Sequence, residues 1–197
     1  MKIFSFSSIV RSVRHCLPVA AALLALPSCA TVTSQKPIGE TPAHLDPKKW
    51  DGHWGTGDGH SLCICVKSAD QGLLELGYLE ARDNQVQFHK LEVHVTQAGG
   101  WLWASVKDEG HKEYMVGRLS EPDEHLLAWM LESPTILEAV KAGKLAGEVV
   151  KDEKGQETKN VLLHSLSDAQ LQDIKAGKYG EVFDWGKPTL VLTHLKD

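Results

Sequence analysis

Leu73-Leu-Glu-Leu-Gly-Tyr-Leu-Glu-Ala81, Gln85-Val-Gln-Phe-His-Lys-Leu-Glu-Val-His-Val-Thr96 and Trp101-Leu-Trp-Ala-Ser-Val-Lys107 decide the fold. Apolar side chains recur there at nearly every second position, the period of an extended chain that presents one face to a core. The joins between them, Arg82-Asp-Asn84 and Ala98-Gly-Gly100, carry the residue types that tight hairpin turns require. The apolar phase slips between Phe88 and Leu91, which predicts a bulge or bend near His89-Lys90.

The same pattern continues on both sides, over 60–68, 112–119, 125–131, 146–151, 158–164 and 189–195. Ala69-Asp-Gln-Gly72, Asp108-Glu-Gly110 and Asp152-Glu-Lys-Gly155 form further turns. Closing such a sheet on itself removes its unpaired edges. The sequence therefore predicts a mainly β fold, an antiparallel β-barrel of about eight or nine strands. A sandwich with helices over one edge is the alternative.

Two short helices are expected in the C-terminal half. Ser133-Pro134 offers an N-cap and a proline in the first turn, Ile136, Leu137 and Val140 form one face, and Gly143 ends it. Ser167 and Gln170 have capping-box spacing, Leu166 and Leu171 sit at staple positions, and Gly177 terminates the second helix. Lys141-Ala-Gly-Lys144 and Lys175-Ala-Gly-Lys178 read as two helix C-caps, not as an internal repeat.

The N-terminus has a different character. Residues 1–28 join a basic stretch containing Lys2, Arg11 and Arg14 to the apolar run Leu17–Leu26, the layout of a secretory signal peptide. Ten apolar residues rise only about 15 Å as a helix, half of a bilayer's hydrocarbon thickness. Residues 29–48, with three prolines and no apolar periodicity, are expected to be a flexible tether with a reach of roughly 24 Å, followed by the barrel domain at 49–197.

Leu26-Pro-Ser-Cys29 resembles the bacterial lipobox. That resemblance implies lipidation of Cys29, membrane attachment through the lipid and, because residue 30 is Ala and not Asp, an outer-membrane position facing the periplasm. Ser28-Cys-Ala30 also fits ordinary signal peptidase, which would release a soluble periplasmic or secreted protein. Trp50-Asp-Gly-His-Trp54, the meander after it, Leu126-Leu-Ala-Trp-Met-Leu131 and the tail through Glu181-Val-Phe-Asp184 and Leu190–Leu195 resemble lipocalin-like, calycin-type envelope lipoproteins of an uncharacterised family. The resemblance implies a closed or nearly closed barrel with a small interior site and a tryptophan, here Trp54, plugging one end. It implies no activity.

Charge excludes one class of partner. The 197-residue chain has 21 basic and 26 acidic residues, and removal of 1–28 leaves 18 against 26. A body this acidic, with its bases scattered, has no basic stripe for nucleic acid. About 150 residues suffice for one core without a structural metal or disulfide, and no cofactor is called for.

Motifs for catalysis are missing. Gly59-His-Ser61 lacks the second glycine of a nucleophile elbow, and Gly55-Thr-Gly-Asp-Gly59 has neither phosphate-loop spacing nor a following helix. His53, His60, Cys63 and Cys65 are the densest set of metal-ligand types, yet Cys-x-Cys on an extended strand leaves two sulfurs side by side without a knuckle. Paired apolar cysteines, a local disulfide and a metal-binding or hydrolytic site all remain readings of that region. His89 and His94, on a single strand, show no recognisable ligand spacing.

Trp101 and Trp103 share one strand face, and Trp129 and Trp185 can join them. Facing inward, Trp101, Trp103 and Trp129 would line a pocket for a small apolar ligand; packed, they would be core. The expectation is a non-catalytic, lipid-anchored envelope protein that binds or carries such a ligand or contacts another envelope component.

Overall fold

The computed structural model describes residues 30–82 and 85–195. The signal segment 1–28 and Cys29 lie outside the described residues. Within them the order is β1 (Val32–Ser34), α1 (Pro47–Trp50), β2 (Gly52–Thr56), β3 (Ser61–Ser68), β4 (Leu73–Arg82), β5 (Gln85–Ala98), β6 (Trp101–Asp108) and β7 (Tyr114–Ser120). There follow β8 (His125–Met130), α2 (Ser133–Lys141), β9 (Gly147–Lys151), β10 (Glu157–Leu163), α3 (Asp168–Lys175) and β11 (Leu190–Leu195).

Eight of these strands close an antiparallel barrel: β2 through β8 pair in sequence, and β11 bridges β8 back to β2. The expected barrel is therefore present, with short helices in its C-terminal half, and the sandwich is not. The strands at 146–151 and 158–164 stand outside it. As β9 and β10 they form, with β1, an extension of the sheet at the start of β7, where β1 takes the edge beside Tyr114 and Met115.

The tether is corrected. Residues 30–48 are packed on the barrel, with Val32, Ile38, Ala43 and Leu45 buried. The Ile38 amide donates to Ser105 Oγ at 2.9 Å, and Thr96 Oγ1 donates to the Ile38 carbonyl at 2.8 Å. The folded unit thus includes residues 30–48 and does not start at residue 49.

The bulge is also corrected. From Leu73↔His94 to Arg82↔Gln85 the β4–β5 ladder keeps one register. Phe88 simply stays on the outer face, exposed beside Leu79 and Val86 where this hairpin runs past its neighbours.

Alternation divides the core in two. Leu62, Ile64, Leu74, Val93, Val95, Ala104, Leu119, Leu126 and Leu192 point inward and fill the barrel together with Trp50 and Trp54. Trp54 Nε1 donates to the Trp50 carbonyl at 3.0 Å, closing the end where β2 begins. Gly52 there adopts a φ of +133°, and a Cβ on it would lie 2.8 Å from His194 Nε2, so the turn into β2 has room for glycine only.

The opposite strand faces carry Trp103, Val116 and Trp129, on which Ile38, Ile136, Val161, Leu163, Leu171, Ile174 and Phe183 pack as a second core. The helices cover this layer. α3 has the expected capping box between Ser167 and Gln170, and Gly177 and Gly143 take left-handed conformations after α3 and α2. The start of α2 differs from expectation: Glu132 is the capping residue, and the Ser133 hydroxyl instead donates to the Lys159 carbonyl, tying α2 to β10.

Candidate functional site

Strand register assembles the site. Trp103 on β6 stands opposite Arg118 on β7, which stands opposite Trp129 on β8. All three project from the outer wall, because the inward positions of these strands are Leu102, Ala104 and Leu119. The expectation that the tryptophan face looks into the barrel is corrected here. Both faces of β6 are apolar, and the bulkier one meets the covering layer.

The loop between α3 and β11 completes the arrangement. The Glu132 amide donates to the Val182 carbonyl at 2.8 Å, Thr135 Oγ1 to the Glu181 carbonyl at 2.7 Å, and the Thr189 amide to the Ala128 carbonyl at 2.8 Å. Held at both ends, the loop brings Phe183 and Trp185 over the strand tryptophans. Trp185 lies 5.5 Å from Trp101 and 5.8 Å from Trp129, ring centre to ring centre. Trp103 packs against Trp101 at 5.9 Å and Phe183 at 6.0 Å.

Arg118 occupies the middle. Its guanidinium carbon lies 4.5 Å from the ring centre of Trp101, 5.0 Å from Trp185 and 5.1 Å from Trp129. The ammonium of Lys175 lies 5.4 Å from the Trp101 ring and donates to the Gly99 carbonyl. Negative aromatic faces stabilise both cations, most strongly where water is displaced. Burial pulls the Arg118 pKa below its ordinary value, yet guanidinium stays charged at any physiological pH.

Hydrogen bonding within this cluster is incomplete. Arg118 Nε and Trp129 Nε1 are buried donors with no acceptor among the described residues. No carboxylate of the described residues forms an ion pair with Arg118. A buried donor left without a partner costs about 1–3 kcal/mol. Two such donors in register neighbours mark a place that lacks an acceptor.

The barrel interior offers less. Its cavity of about 80 Å³ is lined by Leu74, Leu76, Val93, Val106, Met115 and other apolar side chains. A dry cavity of about 150 Å³ accommodates benzene, so this one has room for only a few atoms unless side chains move. Toward the β4–β5 turn the inward face becomes polar. The Tyr78 ring stacks on His89 with centres 5.0 Å apart, and His89 Nε2 lies 3.2 Å from Glu80 Oε2. Burial, then the charges of Asp108 and Glu80, push the Tyr78 phenol up to about 12.

The other sequence candidates do not converge. Cys63 and Cys65 are free thiols on the solvent face of β3, and His53 faces Cys63 across the β2–β3 ladder. His60 sits in the following turn, 3.9 Å from Asp58. Among the described residues no three His, Cys, Asp or Glu side chains are placed to hold a metal ion.

Arg118 and Phe183 escape a reading of the sequence alone. The signal for Arg118 is a lone cation in Tyr114-Met-Val-Gly-Arg-Leu119, in phase with the outward Val116. Nothing in that spacing shows three indoles around it. Set against known protein families, curated proteins and solved structures, the chain matches none, so the geometry of this cluster carries the functional reading.

Proposed function

We propose that this is a lipid-anchored bacterial envelope protein that acts by binding a small, largely apolar ligand, and that the ligand sits at Trp101, Trp129 and Trp185 on the outer wall of the barrel, with Trp103 as the floor. The observation that carries this reading is an aromatic cluster that is both open and unsatisfied. Trp185 is 45% exposed at its rim, while Trp129 and Arg118 hold donors without acceptors beneath. Buried polar groups are normally paired, so two open donors beneath a half-exposed ring set this cluster apart from ordinary packing.

The anchor reading rests on Leu26-Pro-Ser-Cys29 and on the signal-peptide layout of 1–28. With β1 starting at Val32, a lipid on Cys29 leaves two residues, Ala30 and Thr31, between the acylated residue and the fold, about 10 Å fully extended. The barrel then lies against the headgroups and not at the end of a tether. Cys29→Ser is expected to move the protein from the membrane to the soluble fraction, because acyl chains supply the membrane affinity. Unchanged fractionation together with no acyl mass on the mature chain would overturn the anchor.

Ligand binding is tested with a neutral apolar fluorophore, N-phenylnaphthylamine. Saturable binding with a shift in tryptophan emission is expected, weakened at least tenfold by Trp185→Ala in a variant with an unchanged circular dichroism spectrum. Binding that ignores Trp185→Ala would place the probe in the barrel and overturn the outer-wall site.

A further inference from the structure

The unpaired donors bear on the kind of ligand. We propose that the tryptophan cluster is an anion site: it takes an amphiphile whose acidic head, a carboxylate or phosphate ester, pairs with Arg118 and the Trp129 indole N–H while its apolar body lies on the exposed Trp185. The inference rests on the outer-wall ligand site and adds the chemical class of its occupant.

Three observations converge on it. Aromatic clusters of this form commonly receive a cation, an ammonium seated against several ring faces. Here that seat is filled from within by Arg118, whose guanidinium lies against three indoles at 4.5–5.1 Å. A cationic ligand would meet both a filled seat and a like charge.

Both unsatisfied groups are donors, and neither arginine nor indole has an acceptor function to offer. Only an acceptor completes them. Three indoles surround the guanidinium, and its N–H groups form a planar fork that matches carboxylate and phosphate oxygens two at a time.

Local charge has the same sign. Lys175 stands on the other partner of the cluster, over Trp101, and no carboxylate of the described residues forms an ion pair with it. Two cations therefore flank one indole without a counter-ion, in a mature chain that is otherwise strongly acidic. The half-exposed Trp185 supplies an apolar surface beside the guanidinium.

The test compares ligands of equal chain length and different heads: octanoate, octyl phosphate, octanol and octyltrimethylammonium, with inorganic phosphate to separate the head from the amphiphile. Binding is read by tryptophan emission and by the indole N–H resonance of Trp129, assigned with Trp129→Phe among the six tryptophans of the chain. Octanoate and octyl phosphate are expected to bind at least tenfold more tightly than octanol and to shift the Trp129 resonance. Octyltrimethylammonium is expected not to bind, and inorganic phosphate to bind weakly at the same resonance.

Arg118→Gln should abolish the preference for octanoate and octyl phosphate over octanol. Arg118→Lys, which keeps the charge but loses the fork, should retain part of the preference. The two readings fail differently. Octanol binding as tightly as octanoate, with both displaced by Trp185→Ala, overturns the anion class and leaves the ligand site standing. No saturable binding by any amphiphile overturns both. Because the Trp129 resonance is read in the parent protein, the test does not depend on how well the Arg118 variants fold.

Discussion

The inside of the barrel and the layer on its outer wall are made by the same strands, one residue out of phase, and they differ in chemistry. Inside, Leu102, Leu119, Ala128 and Leu190 align across β6, β7, β8 and β11. Among the described residues of this inward face, the Tyr78 hydroxyl has no partner and His89 Nε2 has only the Glu80 carboxylate, 3.2 Å away. Outside, the adjacent rung of β6, β7 and β8 carries Trp103, Arg118 and Trp129, with buried donors left open. The closed barrel is the wall on which much of the C-terminal half packs.

The largest effect should separate the buried floor of the outer cluster from its rim. Trp103 is 0% exposed and Trp185 45%. Trp103→Ala is expected to destabilise the protein by about 3–5 kcal/mol in urea unfolding, as removal of a fully enclosed aromatic does. Trp185→Ala loses edge contacts only, about 0.5–1.5 kcal/mol for aromatic pairing of this kind. Equal losses would show that the cluster is one packed unit with no rim, and the contrast with the interior would disappear.

A smaller effect asks whether the outer layer melts separately from the barrel. Ser167 accepts the Gln170 amide at the start of α3, and α3 buries Leu171 and Ile174 in the outer core. Ser167→Ala should lower stability by about 1 kcal/mol, the usual worth of such a cap. Amide exchange is then expected to accelerate in α3, β9 and β10 and to stay unchanged in β3 and β4. Uniform acceleration would mean that the two cores unfold as one cooperative unit.

Much of the barrel was legible. The segment 73–81 corresponds to Leu73–Arg82 and 101–107 to Trp101–Asp108, because alternation and turn residues act locally. β2 was not, since Gly52-His-Trp-Gly-Thr56 holds a single apolar residue and its extended form is set by pairing with Leu192–Leu195. The packing of 30–48 was hidden for a related reason. Ile38, Ala43 and Leu45 are too sparse for a period, and what buries them is a distant partner, as with Ser105 for the Ile38 amide. For the site, the identities of Trp101, Trp103 and Trp129 were readable and their side of the wall was not. A strand apolar on both faces carries no mark of which is inside.

The smallest effect tests how dry the interior is where it turns polar. Tyr78 is buried beside His89, its hydroxyl has no partner among the described residues, and burial followed by the charges of Asp108 and Glu80 pushes its pKa up to about 12. An unfolded tyrosine ionises near pH 10. Between about pH 10 and 12 the unfolded chain has therefore released a proton that the folded chain still holds, so stability falls as pH rises through this window and levels off above it. Below pH 10 both states are protonated and the group has no pH-dependent effect. Tyr78→Phe should flatten the alkaline slope of the urea midpoint and remove an ionisation near pH 12 from the absorbance titration at about 295 nm. It should not lower stability at pH 8, since it removes a buried hydroxyl whose missing partner is a cost. A parent protein whose midpoint is level from pH 10 to 12 would show that water reaches Tyr78. The polar end of the barrel would then be an open mouth, and the interior would compete with the tryptophan cluster as the binding site.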